Sequence, residues 1–232
     1  MERRFLILKA IVESFVLSAQ PVSSKYLRAK FDLDVSPATI RNEMAFLEKM
    51  GLVFHPHTSA GRIPTEQGFR MFVDELMEKP ATVFQQRQKA IAELHKLATE
   101  ERLRQVVALL ARVCNNVSFA VLPDKKKTYY LGLANMLQKP EFQRALEAYS
   151  VVKILEDPYA FAELLKSLPI DEKIRVFLGR ENIIPEISSC GMIVTTYQVS
   201  GYGNGYLGIL GPMRMNYAYN IGALEHVKES LC

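Results

Sequence analysis

One short run of the sequence, residues 35–44, combines a helix-capping signal with side chains that can hydrogen-bond to nucleic-acid bases. Arg41 can bracket the O6 and N7 acceptors of guanine, and Asn42 can pair in the same bidentate way with adenine. Ala38 is small enough to allow close approach and can touch a thymine methyl group. This combination predicts direct reading of base edges in the major groove of DNA.

These side chains can reach DNA only if they lie on one face of a helix whose opposite face is buried in a core. Ser36 can cap that helix with its hydroxyl, and Pro37 suits the first helical position because its missing N–H would have no partner there. Apolar residues then recur at i, i+4 and i+7, which predicts a buried stripe of Ile40, Met44 and Leu47. The outward set of the helix is Ala38, Arg41, Asn42, Ala45 and Lys49.

Two further helices are predicted ahead of this one. Apolar residues at helical spacing indicate a first helix over residues 5–16, which Gln20-Pro21-Val22 interrupts. Ser23 or Ser24 can start the second helix. Its inward residues are predicted to be Tyr26, Leu27 and Phe31. Residues 32–35 then form the turn of a helix-turn-helix.

The next segment favours a winged variant of this fold. Gly51 can end the third helix, and residues 52–54 form a short apolar strand before a loop, residues 55–63, which we call the wing. Thr65 can cap a fourth helix that closes the core with Phe69, Phe72, Val73, Leu76 and Met77.

Polar groups of the wing can contact phosphate oxygens or a narrow minor groove, and Gly61 allows the backbone to come close. The complete set of predicted DNA-contacting residues is Ser23, Ser24, Lys25, Ser36, Ala38, Thr39, Arg41, Asn42, Ala45, Lys49, His57, Thr58, Ser59, Gly61 and Arg62.

Bulk charge does not by itself indicate DNA binding. The chain has a formal net charge of +4, and residues 1–80 hold 11 Lys and Arg against 10 Asp and Glu. Phosphate attraction dominates only if the cations gather on one face, with Glu13, Asp74 and Glu75 turned away. A neutral or acidic outward face would favour the alternative function, a winged-helix protein-interaction or ligand-sensing module.

The remainder of the chain predicts an α+β domain with an antiparallel sheet and flanking helices. Residues 80–116 have helical periodicity and form a connector, which either contacts a partner subunit or covers the sheet of its own domain. The later pattern predicts a hairpin of residues 119–122 and 129–133, helices over 141–155 and 159–168, strands over 174–178, 192–197 and 206–210, and a last helix from about Met213. The predicted domains are therefore 1–79, 80–116 and 117–232.

Four features resemble enzymatic or ligand sites, and each has a simpler interpretation. The glycine-rich residues 201–205 precede a strand, as in a hairpin turn, rather than the helix that a nucleotide-binding loop requires. His55-Pro56-His57 lacks neighbouring metal ligands, Cys114 and Cys190 suit packing, and Lys125-Lys126-Lys127 suits a solvated turn. We therefore predict no catalytic residue, metal or cofactor, and no enzyme.

Composition indicates a cytoplasmic protein without a membrane partner. Hydrophobic residues make up 49% of the 232 positions, which is enough for real cores. No apolar run approaches the ~20 residues of a membrane span. The three cysteines are far apart and odd in number, which favours a reducing compartment over a disulfide framework.

Several long strings of the chain resemble the heat-inducible transcription repressor family HrcA. Near the N-terminus they are residues 6–12, 21–25, 35–44 and 56–65, and further along they are residues 138–142 and 208–218. The resemblance implies a winged-helix domain, a domain like the GAF small-molecule sensors, and a dimerising domain inserted within the latter. It also implies repression of bacterial chaperone operons through an inverted repeat called CIRCE, loss of activity on heat stress, and the chaperonin as a partner.

The chain departs from that family pattern at one place. Between Leu122 and Leu131 it has only eight residues where typical members carry a long insertion, so the inserted domain is predicted to be absent. We still expect a homodimer, because one winged helix buries too little surface for regulatory affinity and two can bind successive half-sites. The partner surface must then come from the connector or the second domain.

Overall fold

A computed structural model of the chain describes residues 2–31, 33, 35–57, 61–78, 99–124, 127–199, 203–229 and 231. Contacts divide the chain into two units, Met1–Pro80, called the head below, and Ala81–Cys232, called the body. Among the helices of the described residues, none has the length and apolar character needed to cross a membrane.

The head is built from helices around a two-stranded sheet. In chain order its elements are α1 (Glu2–Ser18), α2 (Ser24–Lys30), α3 (Pro37–Lys49), β1 (Val53–Phe54), β2 (Ile63–Pro64) and α4 (Glu66–Met77). The two strands are antiparallel. Helices α1 and α2 both pack on α3, and α1 also packs on β2 and α4. The four predicted helices and strand β1 occur in the predicted order, whereas strand β2 lies where the sequence predicts the end of the loop.

Side-chain caps begin three of these helices at the predicted residues. The hydroxyl of Ser23 accepts a hydrogen bond from the N–H of Tyr26 at 3.2 Å, and that of Thr65 accepts from Gly68 at 3.1 Å. Helix α3 ends as predicted, because Gly51 has a φ of +72° and donates its N–H to the carbonyl of Glu48 at 2.9 Å. That left-handed conformation favours glycine at the end of a helix.

Four expectations about the helices are wrong. The helix predicted over residues 141–155 begins only at Ala145, because a 3-10 turn covers Pro140–Phe142 ahead of it. Tyr26 is 41% exposed, because the seven-residue α2 turns only Leu27 fully into the core. Met77 is also 41% exposed, since it lies in the last turn of α4 beyond the packed residues Phe69, Phe72 and Val73. The last helix of the chain begins at Tyr217 rather than near Met213, because residues 213–215 form a turn after the preceding strand.

The body confirms the predicted α+β class with a five-stranded antiparallel sheet of order β4-β3-β7-β6-β5. Its strands are β3 (Val117–Val121), β4 (Thr128–Leu131), β5 (Arg175–Leu178), β6 (Cys190–Val199) and β7 (Gly203–Pro212). Its helices are α5 (Thr99–Cys114), α6 (Leu133–Leu137), α7 (Ala145–Glu156), α8 (Pro158–Ser167) and α9 (Tyr217–Glu229). Short 3-10 turns cover Pro140–Phe142, Gly179–Asn182 and Pro185–Ile187.

The main core of the body lies between the sheet and helices α7 and α8. Phe119 of β3 meets Phe161 of α8 edge to face, with ring centroids 4.8 Å apart. Val151, Ile154 and Leu155 of α7 belong to the same buried cluster. Helix α9 buries Ile221, Leu224 and Val227, as predicted.

The described part of the predicted connector covers the sheet of its own unit. Helix α5 packs on β3 and β4 and contacts α9. Leu103, Val106, Val107 and Leu110 are fully buried there, at the predicted helical spacing. The other predicted connector positions, Ile91, Leu94 and Leu97, lie outside the described residues.

We expect Leu47→Ala to destabilise the head by about 2–5 kcal/mol, because it removes buried side-chain volume and leaves a cavity. Leu47 is 2% exposed. Hydrogen–deuterium exchange should show reduced protection in α1 to α4 and unchanged protection in the body. Met77→Ala, which alters an exposed side chain, is the matched control and should change stability by less than about 0.5 kcal/mol. Unchanged protection of the head in Leu47→Ala would contradict this prediction.

Candidate nucleic-acid interface

Helix α3 presents its polar face because the opposite face is packed. Ser36 caps the helix by accepting the N–H of Thr39 at 3.1 Å, and Pro37 occupies the first turn. Ile40, Met44 and Leu47 are buried. At about 100° per residue, this burial turns the predicted outward set away from the core.

The structure brings the predicted outward residues of α3 together on one face. Arg41, Asn42, Lys49 and Ala38 are exposed, and Ala45 is half-buried among them. Positions 38, 42, 45 and 49 follow one another at spacings of four, three and four. Position 41 lies three residues after 38 and four before 45, so these side chains share one face of the helix. The face therefore has two cations, one carboxamide and two methyl groups.

Two of the three predicted serines near the helix starts already cap helices. The hydroxyl of Ser23 caps α2, and that of Ser36 caps α3 and lies 3.0 Å from the Thr39 hydroxyl. Ser24 is the half-buried first residue of α2, and Lys25 beside it is exposed. Lys25 is consequently the cation that this end of α2 offers to solvent.

The wing is tied to the rest of the head at its C-terminal side. Arg62 and Val22 exchange two backbone hydrogen bonds of 2.9 Å. A Cβ atom on Gly61 would lie 2.2 Å from the carbonyl oxygen of Val22, so the close approach of these two backbones requires glycine there. The sequence predicts that Gly61 lets the backbone approach DNA. The contact with Val22 shows that packing within the head also requires glycine at this position. His57 is exposed, whereas Thr58 and Ser59 lie outside the described residues.

Arg62 is held in an ion pair rather than exposed as a cation. Its Nη2 lies 2.8 Å from the Oε2 of Glu48, and the Arg62 side chain is 17% exposed. This pair joins the end of the wing to the C-terminal part of α3. The positive charge of the outward face consequently comes from Arg41 and Lys49 more than from Arg62.

Sequence reasoning missed a second ion-pair group, centred on Glu43 of α3. Its side chain is 9% exposed, with one carboxylate oxygen bonded to Nη2 of Arg3 and the other to Nε of Arg4, each at 2.8 Å. These partners are about 40 positions apart in the chain. A pattern of local spacing cannot reveal such a contact.

Both carboxylates of α3 are therefore neutralised by arginines from outside the helix. Glu43 pairs with Arg3 and Arg4, and Glu48 pairs with Arg62. The outward face keeps the positive charges of Arg41 and Lys49 without an acidic residue among its members. A nearly neutral head thus has a locally cationic helix face.

The cysteines and the glycine-rich segment considered in the sequence have structural explanations. Burial raises the pKa of the Cys114 thiol and of the Cys190 thiol to about 12, as expected of packing residues. Residues 190–199 and 203–212 form antiparallel strands, and the second strand begins within the glycine-rich segment, at Gly203, which confirms a strand rather than a helix there. In the described ranges, no group of three or more His, Cys, Asp or Glu residues could hold a metal ion.

The described tyrosines of the body differ in burial and in hydrogen-bond partner. Tyr197 is buried and donates its hydroxyl to the carbonyl of Val121 at 3.1 Å. Tyr129 donates to the carboxylate of Glu100, and Tyr149 is 62% exposed. Tyr202 lies outside the described residues.

The fold and the surface define a protein whose helical head presents a cationic helix face with side chains that can hydrogen-bond to bases. An α+β body follows this head in the chain. The family model described as the HrcA protein C-terminal domain matches residues 70–221. This match covers more than half of the chain, which therefore belongs to the HrcA family.

Known proteins similar to this chain agree with the family assignment. Proteins named heat-inducible transcription repressor HrcA from Carboxydothermus hydrogenoformans and Acetivibrio thermocellus are 28% and 27% identical to it. The alignments cover 99% of this chain and 96% and 95% of the two relatives. A crystal structure described as a hypothetical protein has a TM-score of 0.82 at 19% identity, with 100% of this chain and 96% of that one covered, and so shares the fold.

The alignment with the first relative also bears on the missing insertion. It extends over 331 positions, whereas this chain has 232 residues, so roughly 100 positions hold residues of the relative alone. This difference agrees with the predicted absence of an inserted domain. In the structure, the hairpin at the predicted site closes directly, with the N–H of Leu122 donating to the carbonyl of Lys127 at 3.0 Å.

The Glu43 group makes the stability of the head depend on pH. The hydrogen bond from Arg4, followed by that from Arg3, lowers the pKa of the Glu43 carboxyl from its ordinary value of 4.5. The ionised Glu43 carboxylate therefore stabilises the folded head fully at pH values above its ordinary pKa. This stabilisation is lost as the pH falls through the lowered pKa that Glu43 has in the folded head.

We expect the difference in free energy of unfolding between wild type and Glu43→Gln to be largest near neutral pH and to shrink at acidic pH, below the ordinary carboxyl pKa. Urea unfolding at several pH values, followed by circular dichroism, measures this difference. Carboxylates common to both proteins cancel in the comparison. A difference that stays constant from neutral to acidic pH would argue against an ionised Glu43 in the folded head.

Proposed function

We propose that this chain is a sequence-specific DNA-binding transcription repressor of heat-shock genes. The observation that carries the proposal is the outward face of α3, where Arg41 and Asn42 are exposed on a helix whose own carboxylates are neutralised. The similarity to proteins named heat-inducible transcription repressor supports it.

The head is proposed to be a winged helix-turn-helix with α3 as its recognition helix. In this arrangement α2 precedes α3 across a short turn, and the β1–β2 pair supports the wing. The domain boundaries that accompany this proposal are 1–79 for the winged helix, 80–116 for the connector and 117–232 for the GAF-like domain.

Each outward residue has a proposed role at the DNA. Arg41 and Asn42 read base edges in the major groove, while Ala38 and Ala45 permit close approach of the backbone to the bases. Lys25, Lys49 and His57 contact phosphates, as do the wing residues that lie outside the described part. Arg62 contributes mainly by holding the end of the wing against α3 through Glu48.

We further propose that the repressor binds its inverted repeat as a homodimer in the cytoplasm, with one α3 in each half-site. Two heads on a palindrome reach the ~10⁻⁸ to 10⁻¹¹ M affinities typical of specific sites, which a single small module does not. The family resemblance additionally suggests the chaperonin as a partner. A protein-interaction module remains the alternative function, but a carboxylate-free, cationic outward face on α3 argues against it.

Fluorescence anisotropy with a CIRCE-type inverted repeat and a scrambled duplex tests sequence reading. Wild type should prefer the repeat at physiological salt. Arg41→Ala and Asn42→Ala should each lower that preference by roughly 1–3 kcal/mol, because each removes hydrogen bonds to one base. Lys153→Ala is the control, because it removes a charge from the body. Equal weakening on both duplexes for Arg41→Ala and Asn42→Ala would contradict their assignment to base reading.

Analytical ultracentrifugation tests the dimer separately from sequence reading. We expect a dimer of the free protein at micromolar concentration, and two protomers on each inverted repeat. A single half-site duplex should bind much more weakly, because only one recognition helix finds its bases. Monomers alone, both with and without the inverted repeat, would contradict the proposed arrangement.

A further inference from the structure

Two residues of α3 have side chains that its DNA-reading role does not explain. Glu43 is a buried carboxylate, and Phe46 is an aromatic residue with 38% of its surface exposed. Both contact Arg4 of α1. The Nε of Arg4 donates to Glu43 at 2.8 Å, and its guanidinium carbon lies 3.7 Å from the centroid of the Phe46 ring.

The contacts place the Arg4 guanidinium on the flank of α3, next to the base-reading face. Phe46 is four residues after Asn42, and side chains at that spacing are neighbours on a helix. The guanidinium above Phe46 is therefore about one helical turn from Asn42. When a recognition helix lies in the major groove, its flanks face the phosphates that line the groove.

The group formed by Arg3, Arg4 and Glu43 has a net charge of +1, because one carboxylate serves two guanidinium groups. The Arg3 and Arg4 side chains remain 60% and 43% exposed. Nε of Arg4 donates to Glu43, and among the described residues its two Nη groups have no acceptor. Planar guanidinium donors of this kind suit bidentate contacts to phosphate.

Glu43 and Phe46 also restrict where these arginines can go. An ion pair fixes the direction of each guanidinium, and stacking on an aromatic ring adds a second constraint for Arg4. A side chain that is already ordered loses less conformational entropy when it binds. Fixed arginines next to a base-reading face are therefore better phosphate ligands than flexible surface arginines.

We propose that Arg3 and Arg4 form a phosphate-binding site on the flank of α3, with Glu43 and Phe46 as its positioning residues. The ligand is a backbone phosphate of the DNA duplex next to the base that Asn42 contacts. This inference rests on the proposed function, because it requires α3 to lie in the major groove. The site supplies affinity and register, and it leaves the choice of sequence to Arg41 and Asn42.

The salt dependence of binding tests the site, because each phosphate that the protein neutralises releases counterions. We expect Arg4→Ala to bind the inverted repeat and the scrambled duplex several-fold more weakly, with their affinity ratio unchanged. The slope of log affinity against log salt should become shallower by about 0.9 for each phosphate that a head no longer neutralises. Arg3→Ala should act in the same direction, and the double variant should show both reductions.

Companion variants separate phosphate binding from a purely structural role of these ion pairs. Arg4→Lys keeps the charge and should recover part of the salt slope. Phe46→Leu keeps an apolar side chain and removes the aromatic ring, so it should weaken both duplexes less than Arg4→Ala does. Lys9→Ala is the matched control, since Lys9 is a cation of the same helix that pairs with Glu13. Circular dichroism melting of each variant checks that the head is folded.

The outcomes distinguish this inference from the proposed function. If wild type prefers the repeat, but Arg3→Ala and Arg4→Ala keep its affinity and salt slope, the phosphate site is wrong and the repressor proposal stands. If wild type shows no preference for the repeat, the proposed function fails before the variants are compared. A folded Arg4→Ala that changes the affinity ratio with an unaltered salt slope would also overturn the site, since a phosphate contact cannot act in that way.

Discussion

The burial of Ile40, Met44 and Leu47 against the neighbouring helices is the constraint on which the rest of the head depends. A helix that fixes one stripe in a core also fixes the direction of its other residues. Arg41 and Asn42 point to solvent for this reason. The apolar packing of one face of α3 thus fixes the positions of the polar side chains on its other face.

The same helix must accommodate two carboxylates beside a surface proposed to meet phosphates. A buried carboxylate is costly unless it is paired and hydrogen-bonded. Glu43 is buried and meets this requirement with two arginines of α1, whereas Glu48 is half-buried and pairs with Arg62. The pairs hold α1 and the wing against α3 and also remove negative charge from its surroundings. Overall charge is consequently a poor guide to the local charge of the head.

The body forms a complete sheet although the chain is shorter than its relatives. Strand β4 pairs with β3 through a short hairpin, and Tyr129 of β4 bonds to Glu100 of α5. The Arg104 guanidinium carbon lies 4.9 Å from the Tyr129 ring centroid, which adds a second contact between helix and edge strand. The sheet therefore needs no inserted domain to close this hairpin. A dimer of this chain would require a surface elsewhere.

The sequence by itself determined the order of the four helices of the head, the caps at Ser36 and Thr65, and the outward set of α3. These features are local, because a cap acts over three residues and a helix repeats its faces every three or four. Only the tertiary structure decided that Arg62 is paired and that Gly61 lies against Val22. It also brought Arg3 and Arg4 to Glu43, about 40 residues away. Such contacts depend on how distant elements pack, and no spacing within a single helix or loop encodes that.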